Sequence, residues 1–221
     1  MTQNYYFIDG SALIAQIREL RKTIKSLRNR KLDPVKLIRH FSVYLTELGS
    51  DEYKRVIIYF PNGETTVEDY IVVPNFKKPG LIRDLHFKYC GQKIKGSEAF
   101  NKFVSEKVPK KWKNRFTKSE KGVDIEMCCD AIKLASTGKM ERLFLFTNDD
   151  DFLPLCKILK DFGTNISLLH LSEFITPNRS LIKETDSYDV ISETNLQTIF
   201  VPPLVPAAAT QTVSGSDQES N

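Results

Sequence analysis

Histidine, cysteine and tryptophan are scarce in this chain, at three, four and one among 221 residues. The cysteines (Cys90, Cys128, Cys129, Cys156) have neither zinc-ligand spacing nor the density of a disulfide scaffold, so they read as reduced core residues. His40, His86 and His170 are scattered and read as structural. No Ser–His or Cys–His arrangement stands out, which argues against covalent nucleophilic catalysis. No apolar run nears the roughly 18 residues that a membrane span needs. Met1 leads directly into Asn4-Tyr5-Tyr6-Phe7-Ile8, which reads as a strand and not as a leader. A cytoplasmic protein away from membranes is expected. The first strand also lacks the glycine fingerprint of a dinucleotide site.

Charge of both signs is abundant, and it is unevenly spread. Lys and Arg number 32 against 28 Asp and Glu, a net of +4. Between Lys77 and Lys121, fourteen Lys/Arg stand against four acids (Asp84, Glu98, Glu106, Glu120). From Asp124 to Asp161 the balance reverses, with eight acids against five bases. A basic band beside an acidic centre suits a polyanion whose phosphates are held by cations while chemistry occurs at bound metal. A solvated lysine-rich surface explains any single lysine equally well, but the whole band less well.

Apolar runs predict strands at about 4–9, 54–60, 85–90, 142–147 and 165–171, with helices between most of them. Ser11 is placed to cap a helix running to about Arg30. Asp33-Pro34 starts a second, ending near Gly49, since Asp caps well and Pro suits the first turn. Residues 62–84 are polar and turn-rich and carry no assignment. The helix at 123–137 is apolar on most sides, which predicts burial between other elements. Strands alternating with helices argue for an α/β fold with a mainly parallel sheet covered on both faces. One domain over 1–200 is expected, with a disordered tail at 201–221 whose composition lacks core periodicity.

The most informative stretch is Leu143-Phe144-Leu145-Phe146-Thr147-Asn148-Asp149-Asp150-Asp151-Phe152, a buried strand running into three carboxylates. In open α/β sheets, ligands bind just beyond the carboxyl ends of the strands. Asp9 closes the first strand, and Asp124 opens the apolar helix. Asp130 lies six residues further on, about 120° around that helix, so Asp124 is favoured over it. Carboxylates converging from separate elements make a hard-oxygen site, suited to Mg²⁺ or Mn²⁺ and not to zinc. Such a site supports phosphodiester hydrolysis by an activated water. Each acid also has a plainer reading. Asp151 serves equally well as a helix cap, Asp9 as a turn residue before Gly10, and Asp130 as a satisfied core acid.

Three motifs resemble the NYN domain family, a branch of the PIN-like metal-dependent nucleases. They are Phe7-Ile8-Asp9-Gly10-Ser11; Lys121-Gly122-Val123-Asp124 with Cys129-Asp130-Ala131; and Thr147-Asn148-Asp149-Asp150-Asp151-Phe152-Leu153-Pro154-Leu155. The last is similar to a Ser-Gly-Asp-x-Asp-Phe pattern, followed in the usual order by helix, Gly163 and strand. Ser180-Leu181 and Asp186-Ser187-Tyr188 resemble the closing segment, and the likeness spans roughly residues 4–192. It implies a PIN-like three-layer αβα sandwich around a mainly parallel sheet. It further implies a Mg²⁺/Mn²⁺-dependent ribonuclease with Asp9, Asp124, Asp149 and Asp151 as catalytic and metal-holding acids. Ser11, Asn148, Asp150 and Asp130 would support that cluster. The sequence departs from the pattern twice. Ala12 stands where many relatives carry Asn, and Asn148, which tolerates left-handed geometry, replaces a glycine.

RNA is the expected partner, and the oligomeric state is left open. Within the basic band, Lys107, Lys110, Lys111, Trp112, Lys113, Arg115, Lys118 and Lys121 are the candidate nucleic-acid contacts, cations for phosphates and an aromatic for bases. Trp112 and Phe116 equally form an apolar helix stripe on the core. The first helix offers a second patch through Arg18, Arg21, Lys22, Lys25, Arg28 and Arg30. Two other readings compete with this one. A haloacid-dehalogenase-like phosphatase needs an acid two residues after the first Asp, where this chain has Ser11. A degenerate domain that binds RNA or a protein without cutting takes support from Ala12.

Overall fold

The apolar runs become strands, and the alternation of strand and helix sets the architecture. The computed structural model describes residues 3–47, 53–73, 85–93, 102, 105–107 and 120–202. Its strands are β1 (Gln3–Asp9), β2 (Lys31–Leu32), β3 (Tyr53–Pro61), β4 (Leu85–Cys90), β5 (Gln92–Lys93), β6 (Glu120–Lys121), β7 (Met140–Phe146), β8 (Asn165–His170), β9 (Ser187–Val190) and β10 (Phe200–Val201). Its described α-helices are α1 (Gly10–Thr23), α2 (Pro34–Glu47), α3 (Val67–Tyr70), α4 (Val123–Ser136), α5 (Leu153–Asp161), α6 (Arg179–Glu184) and α7 (Glu193–Ile199).

Six strands form one sheet in the order β4-β3-β1-β7-β8-β9, and every neighbouring pair is parallel. The chain fills one side of β1 with β3 and β4, then crosses to the other side and adds β7, β8 and β9. The order therefore reverses between β1 and β7. In open sheets of this kind the crevice for a ligand opens beyond the carboxyl ends of the strands at that reversal.

Period-two alternation divides the strand residues between two cores. Tyr6, Ile8, Phe144 and Phe146 face α1, α2 and α7, through residues such as Leu13, Ile17, Leu37 and Leu196. Tyr5, Phe7, Leu143 and Leu145 face α4, α5 and α6, through Met127, Ala131, Leu155 and Leu181. Tyr6 and Phe144 are partners in register and stack with ring centroids 4.4 Å apart. The result is a three-layer αβα sandwich around a parallel sheet, as the sequence predicts.

The structure corrects four local expectations. The cap of α1 is Asp9 and not Ser11, because the Asp9 side chain accepts the amides of Ser11 and Ala12. That helix stops at Thr23 and not near Arg30. Arg21 donates to the carbonyls of Arg30 and Asp69, folding the following segment back through a 3-10 turn at Lys25–Leu27. α4 buries only Val123, Met127, Ala131 and Ala135, one stripe of spacing four, while Ile125 is 69% exposed. β9 is an additional parallel edge strand, and α3 falls in the segment left without assignment. Asp33 does start α2 as expected, accepting the Val35 amide at 2.9 Å. Gly163 follows α5 with φ 77°, a left-handed conformation that favours glycine. Expectations for the tail from residue 203 onward lie outside the described residues.

Gly10 shows how tightly the first helix is fitted to the sheet. A β-carbon at this position would collide with the Phe60 ring and the Tyr59 carbonyl oxygen. We predict that Gly10→Ala destabilises the domain by about 1–3 kcal/mol, the usual cost of overpacking. Equilibrium urea unfolding measures this; an unchanged midpoint would show that β3 gives way freely.

Candidate active site

The acidic edge is assembled from backbone outward. β1 delivers Asp9 to the carboxyl end of the sheet, 7% exposed. Its Oδ1 accepts the amides of Ser11 at 2.9 Å and Ala12 at 3.1 Å, as an N-cap does. Its Oδ2 accepts the hydroxyl of Thr147 at 3.3 Å. Thr147 is fully buried at the end of β7, so the bond joins the two strands between which the sheet order reverses.

From Thr147 the chain turns sharply. The Thr147 hydroxyl accepts the Asp149 amide at 3.2 Å, and the Asp149 carboxylate accepts the Asp151 amide at 3.0 Å. These two bonds wind Asp150–Phe152 into a 3-10 turn ahead of α5. Phe152 is fully buried and anchors it. Asp149 is thus the cap here, a role the sequence also allowed for Asp151. The turn gathers Asp149, Asp150 and Asp151, all exposed, so that one carboxylate oxygen of each lies within 4.8 Å of the others. Asp150, expected only to support the cluster, is part of this group. Asn148 does not take the left-handed conformation its type permits, for no described non-glycine residue has a positive φ. Its side chain instead bridges to a neighbouring loop, accepting the Asn178 amide at 2.6 Å and donating to the Thr176 carbonyl at 3.2 Å.

The other sequence candidates are distributed as follows. Asp124 is half-buried in the first turn of α4, after Gly122 at φ 95°. α4 packs against α5, β1, β3 and β7. Asp9 and Asp124 stand outside the three-acid group, Asp9 being tied to its turn through Thr147. Ser11 lies in the first turn of α1. Asp130 is satisfied elsewhere: it accepts the Tyr59 hydroxyl at 2.9 Å and the Lys88 ammonium at 2.7 Å, and Lys88 also pairs with Glu126 at 2.7 Å. Burial first, then Asp130, raises the Tyr59 pKa, so the phenol stays protonated and donates. Burial opposes the Lys88 charge, but its bonds to Asp130 and Glu126 prevail and raise its pKa. Cys128 and Cys156 are each pushed up to about 11, mainly by burial, and remain thiols at neutral pH.

Of the expected nucleic-acid contacts, Lys107 is exposed and Lys121 lies on β6. Lys110, Lys111, Trp112, Lys113, Arg115 and Lys118 lie outside the described residues. On α1, Arg21 is spent on internal carbonyls, and Arg18 lies over the Tyr70 ring at 4.9 Å. Lys22 pairs with Glu19, which reduces that candidate patch.

The family profile of the NYN domain matches residues 3–192. The chain belongs to the NYN domain family. Comparisons with curated proteins and with solved structures find no match. Membership gives this sandwich a nuclease-like, PIN-like fold, and the acidic turn follows strand β7 of its sheet. No described helix is long and apolar enough to cross a membrane.

Two supports of this acidic turn were invisible in the sequence. Thr147 is one; its only signal is a hydroxyl at the end of an apolar run. His170, buried at the end of β8, is the other, its Nε2 3.2 Å from the Thr147 carbonyl. A carbonyl only accepts, so Nε2 carries the proton, while the buried Nδ1 has no hydrogen-bond partner. Burial lowers the His170 pKa below 6.5, with the Thr147 bond pulling the other way. The unfolded chain therefore binds a proton here before the folded one does. Stability is lost as pH falls from about 6.5, by at most about 1.4 kcal/mol per pH unit. His170→Gln keeps a donor and removes the titration. Its urea midpoint should depend less on pH between 7.5 and 5.5 than that of the unsubstituted chain; equal dependence would show that His170 is not the titrating group.

Proposed function

We propose that this NYN domain is a Mg²⁺- or Mn²⁺-dependent ribonuclease, hydrolysing RNA phosphodiester bonds at the edge formed by Asp9, Asp124 and Asp149–Asp151. The observation that carries the reading is the three-carboxylate turn at the strand-order reversal of a NYN sandwich.

The donor set fits such an ion. It consists of carboxylate oxygens alone, without sulfur or imidazole, which suits a hard cation. Ligand oxygens around one Mg²⁺ stand roughly 3–4 Å apart, given metal–oxygen distances of about 2.1 Å. Exposed side chains already within 4.8 Å need only small rotations to reach that spacing. When bound, the ion activates water for attack on phosphorus and offsets charge on the phosphate. Asp149 and Asp151 would hold it, with Asp150 beside them and Asp9 and Asp124 completing the acidic edge. Thr147 and Asn148 hold the turn in place, and Asp149 keeps its cap while doing so. Cations of the basic band would hold the RNA.

The competing reading is a domain that binds RNA without cutting it. Two features favour it: Asp9 is already committed to three protein donors, and Ala12 offers no polar side chain beside it.

Asp149→Asn separates the two. The Asn side-chain oxygen still accepts the Asp151 amide, so the turn survives while one charge is lost. In assays with labelled RNA, cleavage in Mn²⁺ should fall at least 100-fold, on the scale of losing one charge-stabilising group. RNA binding in EDTA should be unchanged or tighter. Equal cleavage by the variant would remove Asp149 from the site. Binding without cleavage by the unsubstituted chain in either metal would favour the non-cutting reading.

A further inference from the structure

A cavity lies on the shoulder of the sandwich, lined by none of the residues of the acidic turn. α4 packs over β1, β3 and β7, and beyond it the sheet face at β3 and β4 opens into a cavity of about 430 Å³. That volume falls in the ~300–1,000 Å³ range of small-ligand sites. Alternation puts Arg55, Ile57 and Tyr59 on this face of β3. Register places His86 beside Ile57 and Lys88 beside Tyr59 on β4. α4 closes the far wall with Asp130, Lys133 and Leu134.

The charges sort into two kinds. Lys88 is compensated by Asp130 and Glu126, and Asp130 also accepts from Tyr59, so this trio forms a fixed rim. The Arg55 guanidinium and the Lys133 ammonium face the same cavity and, like the His86 ring, make no ion pair or hydrogen bond among the described residues. Two cations and an imidazole over a floor of Ile57 and Leu134 match a ligand with a phosphate and an apolar or aromatic part. Arg55 is four residues before Tyr59, the register partner of Asp9, or roughly 13 Å back along the strand. That spacing separates this site from the acidic edge by a few nucleotides of chain.

We infer that this groove binds a nucleotide unit, its phosphate on Arg55 and Lys133 and its base or sugar over Ile57 and Leu134. The unit is either part of a bound RNA strand, which rests on the ribonuclease reading above, or a free mononucleotide.

The test uses the full chain in EDTA, so that it reads binding and not cleavage. Labelled single-stranded RNA is followed by anisotropy, and uridine 5′-monophosphate by calorimetry and as a competitor. Arg55→Ala/Lys133→Ala is compared with Lys36→Ala/Arg39→Ala, an equal charge change on α2 in the opposite layer. If the groove carries an RNA strand, the first variant loses about 10-fold in affinity. Its plot of log affinity against log salt flattens by about 0.7, the slope of one lost phosphate contact on a single strand. The control changes neither. If the groove takes a free nucleotide, the monophosphate binds the unsubstituted chain and not the groove variant. Equal effects of both variants, or binding of neither probe by the unsubstituted chain, overturns the assignment. Separately, absence of metal-dependent cleavage alongside a groove-specific binding loss would contradict the ribonuclease reading and leave the groove standing.

Discussion

The Thr147 hydroxyl accepts the Asp149 amide and donates to the Asp9 carboxylate, so one buried side chain joins the ends of the two strands between which the sheet order reverses. Its carbonyl meets His170 from β8, which fixes the third strand in the row. The parallel topology brings these groups together although Thr147 is 138 residues from Asp9. That connection couples the acidic turn directly to the Asp9 carboxylate. Buried hydrogen bonds contribute only about 1 kcal/mol each to net stability, but leaving a buried donor or acceptor unpaired costs about 1–3 kcal/mol. The bonds around Thr147 therefore act mainly by making alternative turn geometries expensive.

The magnitude of the repulsion among the acids bears on how the turn is read. Two unit charges about 4.8 Å apart repel by about 1 kcal/mol in a water-like dielectric, and by three to four at a dielectric near 20. Asp149, Asp150 and Asp151 are exposed, so the smaller figure applies, and the caps within the turn offset it. The cluster presents three hard oxygens to a cation. A cation arriving there gains the attraction of three carboxylates without reorganising the sandwich beneath.

How much of this was legible in sequence follows from the range of the interactions involved. β1, β3, β7 and β8 were readable as compact, mainly apolar runs, and β4 as an alternating one. β9 was not, since Ser187-Tyr188-Asp189-Val190 is short, polar and at the sheet edge. The overrun of α1 has a similar origin. The lysine- and arginine-rich continuation favours helix locally, but Arg21 draws it back onto the carbonyls of Arg30 and Asp69. Asp149 and Asp151 were visible as acids after a buried strand. Thr147, His170 and the bridge from Asn148 to Asn178 act between segments far apart in sequence, and no local pattern marks them. Asp130 shows the converse: its plainer reading as a satisfied acid is the one its contacts with Tyr59 and Lys88 support.

The central claim is that the acidic turn holds a divalent cation, and counting bound Mn²⁺ by electron paramagnetic resonance tests it most directly. The account predicts at least one tightly held Mn²⁺ per chain. It further predicts that Asp149→Asn/Asp151→Asn abolishes this binding while the circular dichroism of the fold is retained. No stoichiometric Mn²⁺ on the unsubstituted chain, or equal binding by the variant, would contradict it.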